Sequence, residues 1–329
     1  MRLLGVHHVT AIAGDPQRNA DFYVGLLGLR LVKKSVNQDD PGTYHLFYGD
    51  ALGHPGTELT FFAWPGGQPG IKGIGQVVTV SLAIPPVALD YWARRLRSAG
   101  VNITGPFSRL GEDVLSFSDP DGLDLELVAG ADTGHRALWS PWQDGPVPPE
   151  VAVRGVHAVT LKENRPDPTA RFLTGTLGYR LAEEAEGRLR FRVGEGDSGA
   201  VLDLLPQVER RGRVAVGTVH HVAWRTPDAA EQQEWWTVLS ALPVALSPII
   251  DRFWFRSIYF REPGGVLFEI ATDGPGFTVD EPAETLGGTL ILPPWLEPQR
   301  AEIEAVLPPL RSAGQASSAA GGEEEAGRR

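Results

Sequence analysis

The tetrapeptide Val-His-His-Val occurs twice in this chain of 329 residues, at 6–9 and 219–222, and a lone carboxylate, Glu269, closes the segment that follows the second copy. Two imidazoles and one carboxylate suffice to hold a divalent metal ion, and they leave roughly three coordination positions open. Non-haem Fe(II) centres use that open arrangement to bind a substrate and O2 side by side, and Mn(II) fits the same donors almost as well. A metal so held would draw the proton from a phenolic hydroxyl, whose free pKa is about 10, and pass electron density to oxygen. With no cysteine in the chain, thiolate ligands, disulfides and cysteine nucleophiles are excluded.

The elements that must position these residues are strands. Each His-His pair follows a short apolar or small lead-in, and neighbours on a strand face opposite ways, so one histidine of each pair is expected to point inward. His7 is then expected on the far face, at the surface or behind the site. Internal repeats indicate which histidine is the ligand. Gly-Val-His-His-Val-Thr at 5–10 returns as Gly-Val-His-Ala-Val-Thr at 155–160, so the chain is duplicated. Each half divides again into an opening strand, a helix and further strands. The openings lie at 4–13, 76–84, 153–162 and 218–226. The helices are expected to start at Asp15-Pro16, Pro86, Asp167-Pro168 and Pro227-Asp228, and the first three fade at Gly28, Gly100 and Gly178.

This pattern predicts an α+β fold of four βαβββ modules forming two half-open β-barrels. Two modules occupy 1–140 and two occupy 151–310, joined by a Pro- and Gly-rich linker at 141–150. Residues 311–329 are too poor in apolar side chains to order themselves and are expected to be a disordered tail.

Aligning the modules places His8 opposite Ala158 and His221 opposite Thr79. Counting from the turns at Pro263 and Pro120 puts Glu269 opposite Glu126, and the same count from Pro55 reaches Phe61. If the first module pairs with the fourth, His8, His221 and Glu269 converge, with Phe61 as a non-ligating wall. The other cavity then keeps Thr79, Ala158 and Glu126, too few donors to grip a metal. A slip of one residue would invert this register.

The formal charge of −11 argues against nucleic acid and anionic membranes as partners, since neither meets a basic face. Without an apolar run of about 20 residues or a signal pattern, a cytoplasmic protein acting on small molecules is expected. A homo-oligomer is compatible with this composition.

The chain resembles the vicinal oxygen chelate (glyoxalase/bleomycin resistance/dioxygenase) superfamily, and within it the ring-cleaving dioxygenases of hydroquinones. The likeness rests on Val-His-His-Val-Thr at 6–10, Tyr-His-Leu-Phe-Tyr at 44–48, Pro-Gly-Thr-Glu-Leu-Thr at 55–60, Val-His-His-Val at 219–222, and Tyr259 leading to Pro-Gly-Gly-Val-Leu-Phe-Glu at 263–269. It implies that His8, His221 and Glu269 bind Fe(II), as the repeats indicate, and that Tyr259, Arg252 and His220 line the site. Tyr259 would hydrogen-bond a bound phenolate or relay a proton, Arg252 would neutralise the anionic substrate or oxygen, and His220 would serve as acid or base. Thr10 shares the face of His8 and is expected to contact substrate, together with Phe61. The implied reaction is extradiol-type opening of a dihydroxylated ring with O2.

Two rivals are a glyoxalase-type metal-dependent isomerase or lyase, which in this superfamily recruits a fourth ligand where Phe61 is expected, and a non-catalytic protein that binds aromatic drugs, which needs no metal triad. His45, His54, His135 and His157 read as structural, Glu126 as a relic of the repeat or a solvated carboxylate, and Lys33-Lys34 as a basic run too short to imply nucleic acid.

Overall fold

A computed structural model describes residues 1–130, 139–194 and 199–311. The expected tail therefore lies, beyond residue 311, outside the described residues, as does His135. Along the chain the order strand, helix, three strands recurs four times. The first module comprises β1 (Val6–Ala13), α1 (Pro16–Ala20), β2 (Arg30–Asn37), β3 (Asp40–Gly49) and β4 (Glu58–Ala63). The second has β5 (Gln76–Ile84), α2 (Leu89–Ser98), β6 (Ile103–Arg109), β7 (Glu112–Ser118) and β8 (Asp124–Ala129). The third has β9 (Gly155–Glu163), α3 (Pro166–Gly175), β10 (Arg180–Ala185), β11 (Arg188–Arg192) and β12 (Val201–Pro206). The fourth has β13 (Val219–Thr226), α4 (Ala229–Ser240), β14 (Ile250–Asp251), β15 (Arg256–Arg261) and β16 (Leu267–Thr272), and a short α5 (Arg300–Val306) follows near the C-terminus.

The caps explain where helices begin. Asp15 accepts the Arg18 N–H with Pro16 at the first helical position, and Asp228 accepts the N–H groups of Ala230 and Glu231. The third helix starts one residue ahead of the expected Asp167-Pro168, on Pro166, after an Arg165 that makes no side-chain cap. The first widens over Asp21–Leu26 into a π-helical turn, which seats Phe22 and Tyr23 in the core before Gly28 turns the chain with φ +70°. A side chain on Gly28 would also strike Val147 of the linker at 2.5 Å.

Eight strands form each of two curled half-barrel sheets. The first and fourth modules share one, in the order β14-β15-β16-β13-β1-β4-β3-β2, and the second and third share the other, β10-β11-β12-β9-β5-β8-β7-β6. The central pairs β1/β13 and β5/β9 are antiparallel, and each central strand has a parallel neighbour from its own module. Each sheet thus takes one module from each half of the sequence, which brings residue 8 beside residue 221. Buried apolar faces of the helices, including Trp92, Leu96, Leu173, Trp235 and Leu239, join the core formed by both sheets. Among the described residues no helix is long and apolar enough to cross a membrane.

Where the third and fourth modules meet, the buried Thr169 hydroxyl lies 3.1 Å from a Glu163 carboxylate oxygen and 2.6 Å from one of Glu262. Gly264 has no side chain because the Glu163 carboxylate fills the space where its Cβ would stand. Burial, then the neighbouring Glu262 charge, pushes Glu163 from its ordinary 4.5 up to about 8. The folded protein therefore keeps a proton that the unfolded chain releases, and stability falls as pH rises from 4.5 through 8. Glu163→Gln should flatten that slope in urea titrations and gain ~2 kcal/mol at pH 8. Equal slopes in the two proteins would rule out a proton retained on Glu163.

Candidate functional site

Strict alternation fails at both His-His pairs, for a reason visible in the ladder. Between β1 and β13, Val6 pairs with Trp224 and His8 with Ala223, so His7 is skipped; Thr10 pairs with His221 and Ala11 with Val219, so His220 is skipped. An extra residue in one strand is a β-bulge, and it turns two consecutive side chains toward the same region. The ring centroids lie 5.0 Å apart in the first pair and 5.1 Å in the second. His7, expected on a far face, is instead 1% exposed and packs on Phe255.

The Nε2 atoms of His8 and His221 face each other at 3.3 Å, and the Glu269 Oε2 atom lies 3.4 Å from the first and 3.0 Å from the second. All three side chains are buried. Among the described residues Glu269 Oε2 has no hydrogen-bond partner, despite the short distances, while Oε1 accepts from Ser257. Buried polar atoms are seldom left without a partner, and three lone-pair donors converging on one point fit a divalent cation. Burial alone would raise the Glu269 carboxyl, but the His8 and His221 imidazoles outweigh it and hold it well below the usual carboxylate range. Glu269 is thus the ionised member of the three.

The first histidine of each pair supports the second. His8 Nδ1 lies 2.9 Å from His7 Nδ1, and His221 Nδ1 lies 2.8 Å from His220 Nδ1. If Nε2 keeps its lone pair for a metal, Nδ1 carries the proton and donates it to the preceding ring. His7 then carries its own proton on Nε2, facing the Thr272 carbonyl at 3.2 Å. Burial lowers His7 well below its usual pKa and takes His220 down to about 3, so both remain neutral acceptors. Donor atoms of His7, His8 and Glu58 also lie within 4.8 Å of one another, but the two facing Nδ1 atoms there are engaged with each other.

Above the triad lies a small, partly open cavity walled by Phe47, Phe62, Trp254, Phe255 and Tyr259, with His45 among the wall residues. Arg252 closes one side. Its Nε donates to the Tyr259 hydroxyl at 3.3 Å, and its terminal nitrogens bind both carboxylate oxygens of Asp39, from the β2–β3 turn, at 3.1 and 2.8 Å. Arg252 is therefore already paired with Asp39 and also holds the Tyr259 hydroxyl. Burial and the Glu269 charge push the Tyr259 hydroxyl well above its usual pKa, so it stays protonated.

Phe61 is absent from this wall. It is fully buried on the other face of β4, with its ring 4.5 Å from that of Tyr23 in the first helix. Ladder register shows why. Glu269 pairs with Ala223, two residues past His221, and the residue pairing two positions past His8 is Thr60. The first module's turn after Pro55 is one residue shorter than those after Pro120 and Pro263, so the count overshot by one and flipped the face. Thr10, expected at the substrate, lies beneath the wall with its hydroxyl 2.8 Å from that of Thr60. His45, expected to be structural, lines the cavity; its spacing from Phe47 on one strand face was the available signal.

In the other sheet, the same register confirms Thr79, Ala158 and Glu126 as counterparts of His221, His8 and Glu269, and adds Asp203 opposite Thr160. Arginines occupy that centre. Arg109 binds both oxygens of Glu126 at 2.8 and 2.6 Å, and Arg190 binds both of Asp203 at 2.8 and 3.0 Å. Guanidinium groups neutralise the carboxylates where a metal would otherwise be needed.

Residues 5–127 and 155–270 match the Glyoxalase/Bleomycin resistance protein/Dioxygenase superfamily, one stretch for each half of the chain. The chain belongs to this superfamily. Over 308 residues, 94% of this chain and 97% of the relative, it is 44% identical to "Putative ring-cleaving dioxygenase MhqO" of Bacillus subtilis. It is 35% identical over 309 residues, 92% of this chain and 95% of the relative, to the chlorohydroquinone/hydroquinone 1,2-dioxygenase of Sphingobium indicum. Among superfamily structures, a "putative dioxygenase" from Bacillus subtilis superposes with a TM-score of 0.87 at 44% identity, covering 94% of this chain and 98% of that one. Glyoxalase I from Zea mays, at 18% identity and a TM-score of 0.58 over 82% of this chain and 92% of that one, shares the fold. The relatives named here as ring-cleaving dioxygenases span nearly this whole chain, and the dioxygenase reading of the superfamily site draws on them.

Proposed function

We propose that this protein is an Fe(II)-dependent, extradiol-type dioxygenase that opens hydroquinone or related dihydroxylated rings with O2. The observation that carries this reading is the convergence of three buried donors, one of them an unpartnered carboxylate oxygen, at the floor of an aromatic-walled cavity. The name of one relative supports ring cleavage and that of the other supports the hydroquinone substrate class. His8, His221 and Glu269 would hold the metal, which when bound supplies a Lewis acid for the phenolic oxygen and a site for O2; Mn(II) fits the same donors.

The chain's own residues account for the rest. Phe47, Phe62, Trp254 and Phe255 stack around a planar ring and exclude water. His7 and His220 keep the ligand imidazoles in the Nδ1–H form and fix their planes. Tyr259, its ring edge-on to His221 at 5.8 Å, keeps its hydroxyl proton and would donate a hydrogen bond from it to a substrate oxygen. Tyr259→Phe should lower turnover about 10²-fold while metal content stays full. Turnover within twofold of the parent would remove Tyr259 from proton handling.

Anaerobic loading with Fe(II) or Mn(II), followed by exposure to hydroquinones and catechols with O2 uptake recorded, tests the reading. Uptake with hydroquinones is expected. No uptake with any diphenol, alongside conversion of a glutathione hemithioacetal, would transfer the assignment to an isomerase. The residue at the fourth ligand register speaks against that rival: Thr60 spends its hydroxyl on Thr10 and His45.

A further inference from the structure

A ring with two hydroxyl groups on opposite carbons presents one oxygen to a metal and must satisfy the other at a far wall. The polar groups around the cavity are mostly committed. The Tyr259 hydroxyl takes the Arg252 Nε–H, Arg252 is held by Asp39, and the Asn37 side-chain oxygen and the Gln38 side-chain nitrogen are bonded to the Asp39 N–H and the Arg252 carbonyl, which leaves only the other end of each amide, at the β2–β3 turn. His45 is different. Its Nε2 lies 2.9 Å from the Thr60 hydroxyl, its ring is clamped by Phe47 at 3.8 Å and Phe62 at 4.5 Å between centroids, and Nδ1 has no hydrogen-bond partner among the described residues. Phe62 also touches the rings of His220 and His221, so His45 stands one aromatic ring away from the metal end.

We propose that His45 binds the substrate hydroxyl that points away from the metal and so selects rings carrying a second, remote hydroxyl. The inference rests on the ring-opening reading above and deepens it. Thr10, Thr60 and His45 form a hydrogen-bonded row in which either Oγ1 atom can donate, so the row can run in either direction. His45 Nδ1 can accordingly present a lone pair to a phenol or an N–H to the carbonyl-like oxygen that develops as the ring loses electrons. A phenylalanine would keep the clamp and lose the bond.

Anaerobic calorimetry with Fe(II)-loaded protein, its metal content measured, compares hydroquinone with phenol, which lacks the second hydroxyl. The parent should bind hydroquinone ~10-fold more tightly, the value of one well-placed hydrogen bond in a buried site. His45→Phe should bind both alike, with phenol affinity within about twofold of the parent. His45→Gln, which keeps a donor and an acceptor, should retain part of the preference. A preference that survives in His45→Phe, no preference in the parent, or loss of phenol binding in His45→Phe at full metal content would each overturn the role of His45. Failure of the metal-loaded parent to bind either compound would remove the ring-opening reading and this inference together, whereas the other adverse outcomes remove His45 alone.

Discussion

Glu269→Gln is expected to lower metal affinity by ~10³-fold or more and to reduce O2 uptake with hydroquinone in proportion. Glu269 is the only anion in the triad and is fully buried in the middle of its strand, paired with Tyr259 on one side and Ala223 on the other. Glutamine matches its volume and can still accept from Ser257, so the strand and the cavity wall keep their packing. What disappears is a full charge facing a dication at ligand distance. At an effective dielectric of about 20, such a charge contributes several kcal/mol, which is the origin of the ~10³-fold figure. Metal measured after gel filtration, with urea unfolding of the metal-free proteins as control, separates loss of binding from loss of fold. Glu126→Gln, the counterpart in the other sheet, should leave metal content unchanged, since Arg109 already occupies that oxygen pair. Full metal retention by Glu269→Gln would place the ion elsewhere.

The triad was legible in the sequence because three features reinforced one another: two matching His-His pairs, a duplicated module, and turns that anchor the register. The duplication indicated that residues 8 and 221 come together, which no local pattern states. What escaped was decided by single-residue irregularities. A bulge at His7 and another at His220 gather all four imidazoles, whereas an alternating pattern assigns half of them to the far face. The shorter turn after Pro55 moved the fourth wall position from Phe61 to Thr60. His45 was hidden for another reason. Alternation along its strand shows that it shares a face with Phe47, but whether that face meets the helix or the cavity depends on the other strands. Asp203 carries no local signal, because its module has no Pro-Gly turn to fix its register.

The second large effect concerns a residue whose neighbourhood could not be read locally. Lys33→Met should destabilise the protein by ~3–5 kcal/mol, while Lys34→Met should cost ~0.5 kcal/mol or less. A Lys-Lys run reads as solvated, yet Lys33 is completely buried. Its ammonium donates to the Phe277 carbonyl at 3.2 Å, to Asp280 at 2.7 Å and to Glu281, all from the segment that follows the fourth module. Partners 247 and 248 residues away leave no trace in the sequence around position 33. Methionine fills the same channel but strands the buried Glu281 carboxylate and takes the ammonium from the half-buried Asp280, and that unpaired charge is the source of the cost. The same cluster reaches the site, because Asp280 also accepts the Trp254 indole N–H at 2.9 Å, and Trp254 packs with Phe47 and Phe255 in the cavity wall. Lys33→Met should therefore weaken hydroquinone binding as well as lower the urea midpoint, with the metal ligands untouched. Adding Asp280→Asn and Glu281→Gln to Lys33→Met removes both carboxylate charges and should recover much of the stability. A midpoint for Lys33→Met close to that of Lys34→Met would mean that the buried cluster contributes little and that the wall is held by its aromatic packing alone.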